Sequence, residues 1–441
     1  MSKVKVGVSR VITTPPMGTP MSGYFTPRYA KGVRDNLTAT AVAFDDGEKR
    51  AVVIGLDQAG FKNQYLLDRY KQMISEFCNV PLSGIIINCS HTHTGPILGF
   101  DKSSGVDSNH TYDDWIGYQL RDAAYFAFQD LKPARFFVAE HEAKDIAFIR
   151  IFRMKDGSFQ TNPGVGNPDV VEPLGEINDT AKILRIERED GKDVIMVNFG
   201  MHADTTGGEI ISADFPGVMR KIVETEFEDS VCVFIQGAEG DVNHVNVFGE
   251  RKPKGYHYSQ GIGKVLADAV CRACENQREI EVDEVYSSNK KILIPSNKEN
   301  ERIDEAKRIV ELHRAERDDE IECGNSDITT VVAEAIRIVN LFDAPQDYEF
   351  TITTIGLGDF AFAGIPGEPF CEIGKRIISD SPFENTFVCV LCDGGEIYFP
   401  TSRTYEGGGY EARSSVVKCG ADNIIVDETV KLLNTLRGEE K

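Results

Sequence analysis

The chain has 441 residues, of which 41% are hydrophobic and 27% are charged, as in an ordinary globular protein and unlike a disordered or fibrous one. Its formal net charge of −22 would repel nucleic-acid phosphates and anionic lipid headgroups. We therefore expect neither a nucleic-acid partner nor stable membrane association. The N-terminal segment has no apolar run of the kind found in signal peptides, which predicts a cytoplasmic location.

Strand-like and helical segments alternate along the chain. A helix over residues 63–79 precedes a short buried strand, GIIIN, and later hairpins and helices follow the same alternation. This pattern predicts an α/β fold with a mixed sheet in several layers, and with a site at the strand ends. Residues 299–320 are densely charged at helical spacing and predict a surface helical insertion, which we extend to about residue 340. We interpret residues 1–441 as a single domain.

Two histidines, His91 and His93, stand in the motif SHTHTGP directly after the strand GIIIN. Residues two apart in extended backbone point to the same side, so both imidazoles can converge on one small volume. Neutral imidazole is the commonest metal ligand in proteins. An isolated pair of this kind fits a metal site and a pair of hydrogen-bonded structural histidines equally well.

Further candidate ligands follow other strands or turns. His202 comes after the strand VIMVNF, Glu239 and His244 lie in the Gly-containing turn GAEGDVNHV, and Glu368 follows a Pro-Gly turn. Three imidazole or carboxylate ligands with an open position for water form the usual layout of catalytic zinc. His91, His202 and Glu368 could supply them, although Glu368 taken in isolation fits a cap of the following helix better than a metal ligand.

The segment YFPTSRTYEGGGYEARSS places three tyrosines, Tyr398, Tyr405 and Tyr410, around a run of glycines. Tyrosines in such a loop either cover an apolar surface or use their hydroxyl groups to bind a metal or a developing oxyanion. Taken in isolation, the pattern favours the first of these roles.

Taken in order, these motifs resemble those of the neutral ceramidase family, over nearly the whole chain. SHTHTGP is similar to the family signature THTHSGP, and five more blocks fall in the family's order. They are GVSRVITTPPMGTPMSGY, FIRIFRMKDG, NFGMHADTTGG, FIQGAEGDVN and GIPGEPF, followed by the tyrosine segment.

The resemblance implies a ceramidase-like zinc amidohydrolase with one zinc ion per chain. The implied zinc ligands are His91, His202, Glu368 and Tyr398. By the same resemblance, the catalytic groups are His93 as an acid/base residue, and Arg150 and Tyr410 as donors that polarise the scissile carbonyl. A cation and a phenol at the carbonyl oxygen stabilise the negative charge of the transition state.

The sequence also departs from the family. The family has Ser-Pro-Asn after Gly-Asp-Val, whereas this chain has Asn243 and His244, so a serine nucleophile is excluded at this position. We predict substrate-binding roles for Asn243 and His244, and also for Tyr24 and Tyr405. We also expect a short form of the family, without an export signal or a C-terminal β-sandwich, that acts on a substrate smaller and more soluble than ceramide.

The resulting hypothesis is a zinc-dependent hydrolase in which metal-bound water cleaves an amide (N-acyl) bond of a small-molecule substrate. Three alternatives stay open. The same groups would serve an ester or lactone hydrolase, and four acids could instead support a two-metal phosphoesterase: Asp204, Asp214, Glu239 and Asp241. The third alternative is a non-catalytic binding protein on the same fold. Manganese or iron would also accept the implied ligands.

Overall fold

The computed structural model describes residues 2–102, 104–249, 255–323 and 328–438. The strands of the first half are β1 (Lys5–Ile12), β2 (Gly32–Val33), β3 (Thr38–Asp45), β4 (Arg50–Leu56), β5 (Ile85–Cys89), β6 (Lys132–Glu142), β7 (Phe148–Ile149), β8 (Ile151–Met154), β9 (Phe159–Thr161), β10 (Val170–Pro173), β11 (Thr180–Arg188) and β12 (Asp193–Phe199). Those of the second half are β13 (Ile210–Ile211), β14 (Ser230–Gln236), β15 (Val242–Asn243), β16 (Arg278–Ile280), β17 (Val285–Pro295), β18 (Asp347–Leu357), β19 (Phe360–Gly364), β20 (Glu368–Pro369), β21 (Asn385–Cys389) and β22 (Tyr398–Phe399).

The helices over the same ranges are α1 (Gln64–Cys78), α2 (His110–Gln129), α3 (Asp214–Glu226), α4 (Tyr256–Glu275), α5 (Ile303–Arg314), α6 (Ile328–Asn340), α7 (Cys371–Asp380), α8 (Thr404–Gly407), α9 (Tyr410–Arg413) and α10 (Ala421–Arg437). The helix predicted over residues 63–79 corresponds to α1. Asn63 caps its N-terminus by accepting a hydrogen bond from the Tyr65 backbone N–H, and Asn79 ends it in the left-handed conformation.

Two mixed sheets form the centre of the molecule. The large sheet has nine strands in the order β14-β12-β11-β6-β1-β3-β4-β5, with β16 also paired to β6. The second sheet has four strands in the order β17-β18-β19-β21. Three neighbouring pairs are parallel, namely β4 with β5, β12 with β14, and β19 with β21. The predicted α/β fold with a mixed sheet is therefore confirmed.

Alternation of side chains along the strands creates the layers. In β3, Ala41 and Ala43 pack toward α1 and α2, whereas Val42 and Phe44 pack toward the second sheet. Strands β11 and β12 present one face to α3 and α4 and the other to the same inter-sheet core. Helices α7 and α10 cover the outer face of the second sheet. The result is a four-layer helix-sheet-sheet-helix arrangement, as the multilayer prediction requires.

Helices α5 and α6 occupy the segment predicted to be a helical insertion. They pack against each other around an apolar cluster of their own that includes Ile309, Val310, Val332 and Ile338. The charged residues of α5 face outward, as in an amphipathic surface helix. This pair of helices is called the helical segment below. Within the described ranges, no helix is both long enough and apolar enough to cross a membrane.

Candidate active site

The carboxyl ends of the parallel strands meet at one place in the molecule. Strand β5 leads to the histidine motif, β12 leads to His202, and β14 leads to the turn that contains Glu239. From the second sheet, β19 leads to Glu368, and β21 leads to the segment with Tyr398. Strand ends in α/β sheets are where binding sites are usually assembled, and this edge carries the predicted ligands.

His91 is held by the backbone around it. Its φ of +61° is uncommon for a residue other than glycine, and such strained positions cluster at functional sites. The imidazole Nδ1 lies 2.7 Å from the carbonyl oxygen of Ala59. A carbonyl only accepts, so Nδ1 must carry a proton, and Nε2 is the nitrogen that faces the site.

His202 is oriented in the same way. Its Nδ1 donates to the carbonyl oxygens of Glu239, at 2.9 Å, and Val242, at 3.1 Å. Only 2% of the residue is exposed. Its unprotonated Nε2 therefore also points into the site, the arrangement that histidine ligands of metals show.

Glu368 lies between the two histidines. Its Oε2 atom is 3.3 Å from Nε2 of His91 and 3.3 Å from Nε2 of His202. These contacts are longer than charge-assisted hydrogen bonds, and Oε2 has no well-formed hydrogen bond with the described residues although it is buried. Two imidazole nitrogens and one carboxylate oxygen thus converge, and this donor set fits zinc.

Two glycines allow the close backbone contacts that hold Glu368 in this position. Gly367 has a φ of +57°, and a Cβ atom there would lie 2.3 Å from the carbonyl oxygen of Ile397. At Gly240, a Cβ atom would lie 2.3 Å from the carbonyl oxygen of Glu368 itself. Gly240 therefore lets the GAEGDV turn lie against the backbone of Glu368, and Gly367 lets the PGE turn lie against the segment that leads to Tyr398.

The protonation states of the metal-free site follow from burial and charge. Burial would lower the pKa of His91, but the carboxylate of Glu368 outweighs it and raises that pKa to about 9. Burial would raise the pKa of Glu368, but the His91 charge and the contacts from both histidines hold it well below its usual range. Burial and the Arg150 charge lower the pKa of His202 to about 3. A proton on His91 thus balances the Glu368 carboxylate.

Tyr398 is adjacent to this centre. Strand β22 pairs with β20 in a register that places Tyr398 beside Glu368. Its ring stacks on that of His202 with centroids 6.4 Å apart, and the Arg150 guanidinium carbon lies 5.3 Å from the Tyr398 ring centroid. Burial raises the pKa of the Tyr398 phenol well above its usual value. All four predicted ligands are therefore brought together.

His93 lies on the cavity side of His91. Its Nε2 is 3.2 Å from Nε2 of His91, and its Nδ1 is 3.8 Å from a carboxylate oxygen of Asp204. The Tyr24 hydroxyl is hydrogen-bonded to Asp204, and Arg28 donates to the His93 carbonyl oxygen at 2.8 Å. Burial and the His91 charge lower the pKa of His93 well below its usual value, so its imidazole is neutral.

Arg150 lies between β7 and β8, and its side chain extends into the site. Its Nη1 is 3.3 Å from Nε2 of His202, and its Nη2 forms an ion pair of 2.8 Å with Glu411. Glu411 is fully buried and also accepts a hydrogen bond of 2.6 Å from the Thr161 hydroxyl. Burial would lower the pKa of Arg150, but the Glu411 charge raises it, so the guanidinium stays charged.

Tyr410 begins helix α9 and completes the predicted catalytic set. Its ring centroid is 5.9 Å from that of Tyr398 and 6.2 Å from that of Phe25. Burial raises the pKa of the Tyr410 phenol to about 12. The phenol is therefore a hydrogen-bond donor near neutral pH, as the predicted role requires.

Two adjoining cavities open onto this centre. A cavity of about 390 Å³ is lined by Tyr24, His93, Asn243 and His244, among others. Three of the four predicted substrate-binding residues therefore face it, and Asn243 donates 2.7 Å to the side-chain oxygen of Asn162. The prediction for Tyr405 needs correction: its hydroxyl is hydrogen-bonded to Ser415 and Val417, and it lines neither cavity.

The second cavity has a volume of about 660 Å³ and shares Arg150 with the first. It extends from Tyr398 and Tyr410 to the helical segment, where it is lined by Glu334 of α6, by Arg302 just before α5, and by Arg413 of α9. Its outer wall is thus charged.

Sequence reasoning missed Glu411 altogether and gave Glu239 only a secondary place. Glu239 is fully buried, and one of its carboxylate oxygens lies within 4.8 Å of ligand atoms of His91 and Glu368. A Glu in a Gly-rich turn after a buried strand was the available signal. The carboxylates of Asp214 and Asp241 are engaged by backbone N–H donors, at 2.6 Å from Phe215 and 2.7 Å from Cys371. These contacts favour structural roles for both over a second metal centre.

Two solved structures share this fold over nearly the whole chain. A neutral ceramidase from Pseudomonas aeruginosa superposes with a TM-score of 0.72 at 16% sequence identity, over 98% of this chain and 75% of that one. A ceramidase in complex with C2 superposes with a TM-score of 0.73 at 14% identity, over 99% and 75% of the two chains. The chain thus has the neutral ceramidase fold, and the predicted resemblance is confirmed at the level of fold.

No protein-family model matches the sequence, and no curated protein matches it either. The similarity to neutral ceramidases therefore rests on the fold and on the order of the site motifs.

Proposed function

We propose that the chain is a zinc-dependent hydrolase, with one zinc ion per chain, that cleaves an amide (N-acyl) bond in a small-molecule substrate. The observation that carries this proposal is the convergence of His91, His202 and Glu368, in which both Nε2 atoms lie 3.3 Å from one carboxylate oxygen. The ceramidase fold of two solved structures supports the same reaction class.

His91, His202, Glu368 and Tyr398 would hold the metal. Backbone carbonyls orient both imidazoles with Nε2 toward the centre, so little ordering is left to occur on binding. When bound, zinc would activate a water molecule and polarise the substrate carbonyl.

The remaining residues would bind the substrate and move protons. Arg150, kept charged by Glu411, and the Tyr410 phenol donate hydrogen bonds to the carbonyl oxygen, where negative charge develops. His93, a neutral imidazole beside Asp204, would accept a proton from the attacking water and deliver it to the leaving nitrogen. Asn243 takes no covalent part, because an amide side chain is not a nucleophile.

The shape and charge of the cavities favour a substrate smaller and more polar than a two-chain lipid. The cavity beside His93 holds about 390 Å³, and the adjoining one ends in the charged side chains of Arg302, Glu334 and Arg413. Burying an alkyl chain against such groups would strip them of water without providing new hydrogen bonds. The cytoplasmic location predicted from the sequence is part of this proposal, and fractionation of cells that express the full chain tests it.

Metal analysis by mass spectrometry is the first test. We expect about one zinc per wild-type chain, the stoichiometry of a mononuclear catalytic site, and loss of that zinc in His91→Ala. His141→Ala is the matched control, because His141 is exposed and its ring is hydrogen-bonded to the carbonyl oxygen of the neighbouring Glu142.

Activity is then measured on pairs of N-acyl amides and esters with the same acyl group, with and without a chelator. Turnover of amides that the chelator abolishes supports the proposal. A well-folded wild type without metal, or a metal-loaded protein that cleaves only the esters, would overturn it in favour of the non-catalytic or the esterase alternative.

A further inference from the structure

Helix α6 of the helical segment contacts helix α9 at two positions. Glu334 accepts a hydrogen bond of 2.8 Å from Arg413, and Arg337 donates one to the hydroxyl of Tyr410. Residues three apart lie on one face of a helix, so the two contacts join one face of α6 to one face of α9. Helix α9 has only four residues, too few to be stable alone, and it follows glycines. The helical segment therefore supports the turn that carries Tyr410.

Arg337 is placed to act on the Tyr410 phenol itself. Its guanidinium carbon lies 5.4 Å from the ring centroids of both Tyr410 and Phe25. Within the part of the chain that the structure describes, no carboxylate lies within ion-pair distance of this guanidinium. The Arg337 charge therefore has no ion-pair partner among the described residues, whereas the Arg150 charge is paired with Glu411.

The direction of this hydrogen bond has a consequence for Tyr410. Arginine only donates, so the phenol oxygen must be the acceptor, and its own O–H proton has to point elsewhere. The side of Tyr410 that remains is the cavity shared with Arg150 and Tyr398. A phenol that accepts from a cation is also a stronger donor, because hydrogen bonds in a chain polarise one another.

We infer that Arg337 is a positioning residue that orients the Tyr410 hydroxyl toward the substrate carbonyl, so that the helical segment completes the active site. This inference rests on the proposed function, in which Tyr410 donates to that carbonyl. The charge of Arg337 also acts to lower the Tyr410 pKa, against the dominant effect of burial, and the phenol still remains protonated near neutral pH.

The test uses the full chain with its metal and the variants Arg337→Met, Arg337→Lys and Tyr410→Phe, with Arg308→Met as the control. Arg308 is exposed on the neighbouring helix α5. We expect Arg337→Met to lose about tenfold in kcat with KM within about twofold, since the lost contact acts through another donor. Arg337→Lys should recover most of the loss, and Arg308→Met should match the wild type.

The double variant separates positioning from a general structural effect. If Arg337 acts through Tyr410, adding Arg337→Met to Tyr410→Phe should cost no further activity. Independent losses that multiply, or full activity of Arg337→Met, would overturn the inference.

A second readout does not depend on turnover. The ¹³Cζ resonance of labelled Tyr410, assigned by its absence in Tyr410→Phe, should shift in Arg337→Met and stay in place in Arg308→Met. An unmoved resonance overturns the inference. Failure of the wild type to hydrolyse any amide would instead reject the proposed function, and the resonance would still report whether Arg337 holds the phenol.

Discussion

The buried ion pair between Arg150 and Glu411 gives the sharpest prediction. The two side chains are 8% and 0% exposed and lie 2.8 Å apart. The change Glu411→Gln keeps the size of the side chain and its hydrogen bond from Thr161, but it removes the negative charge. Arg150 would then stay charged in a buried position without its main counter-ion.

The expected loss of stability is large. At 2.8 Å and an effective dielectric constant near 20, the gross attraction is about 6 kcal/mol. Removing one partner of a buried pair typically costs about 3–5 kcal/mol, because the other charge is left uncompensated. The same substitution in the exposed pair of Arg153 and Glu172, whose side chains are 44% and 51% exposed, should cost less than about 1 kcal/mol.

Urea unfolding followed by fluorescence and circular dichroism measures both losses on the same scale. The double variant Arg150→Met with Glu411→Gln removes both charges and should regain about 1–3 kcal/mol relative to Glu411→Gln alone. If Glu411→Gln is no less stable than Glu172→Gln, the reasoning from burial and charge is refuted.

Three further predictions concern the site. The change His202→Ala should remove the metal and lower activity more than about 100-fold, because it deletes a ligand outright; metal analysis and kinetics check both. Burial raises the Asp241 pKa to about 7, so the contribution of Asp241 to stability should fall as the pH rises from about 4 to 7. The Asp241→Asn protein should then be more stable by up to about 4 kcal/mol above pH 7 and not below pH 4, as measured by urea unfolding with a chelator. The change Asn243→Ala should raise KM about 3–10-fold with kcat nearly unchanged; a large fall in kcat would instead show that Asn243 acts on the transition state.

Much of the fold and the centre of the site could be predicted from the sequence. Short apolar runs separated by amphipathic helices define the strand order along the chain, and the residue after each buried run lies at a strand end. His91, His202 and Glu368 each follow such a run or turn, and the structure brings their ligand atoms together. Periodicity was a sufficient signal because the carboxyl ends of strands from both sheets meet at one place.

The outer parts of the site could not be predicted in this way. Arg337 and Glu334 are separated in sequence by more than seventy residues from helix α9, which they contact. Their spacing on α6 is that of any amphipathic surface helix, so the pattern predicted solvent-exposed side chains and not contacts with another helix. The prediction of a substrate-binding role for Tyr405 rested on proximity in sequence. Tyr405 shares the glycine-rich segment with Tyr410, but a short helix turns its hydroxyl toward Ser415.

The balance of buried charge supports a cation at this centre. Glu239 and Glu368 are 0% and 2% exposed, and neither carboxylate oxygen of Glu239 has a hydrogen-bond donor among the described residues. Burial raises the pKa of Glu239 well above its usual value, and the His91 proton balances Glu368. Two carboxylates this close are tolerated in a buried site only when positive charge lies near them. Protons supply it in the metal-free protein, and a divalent ion held by His91, His202 and Glu368 would supply it with better geometry.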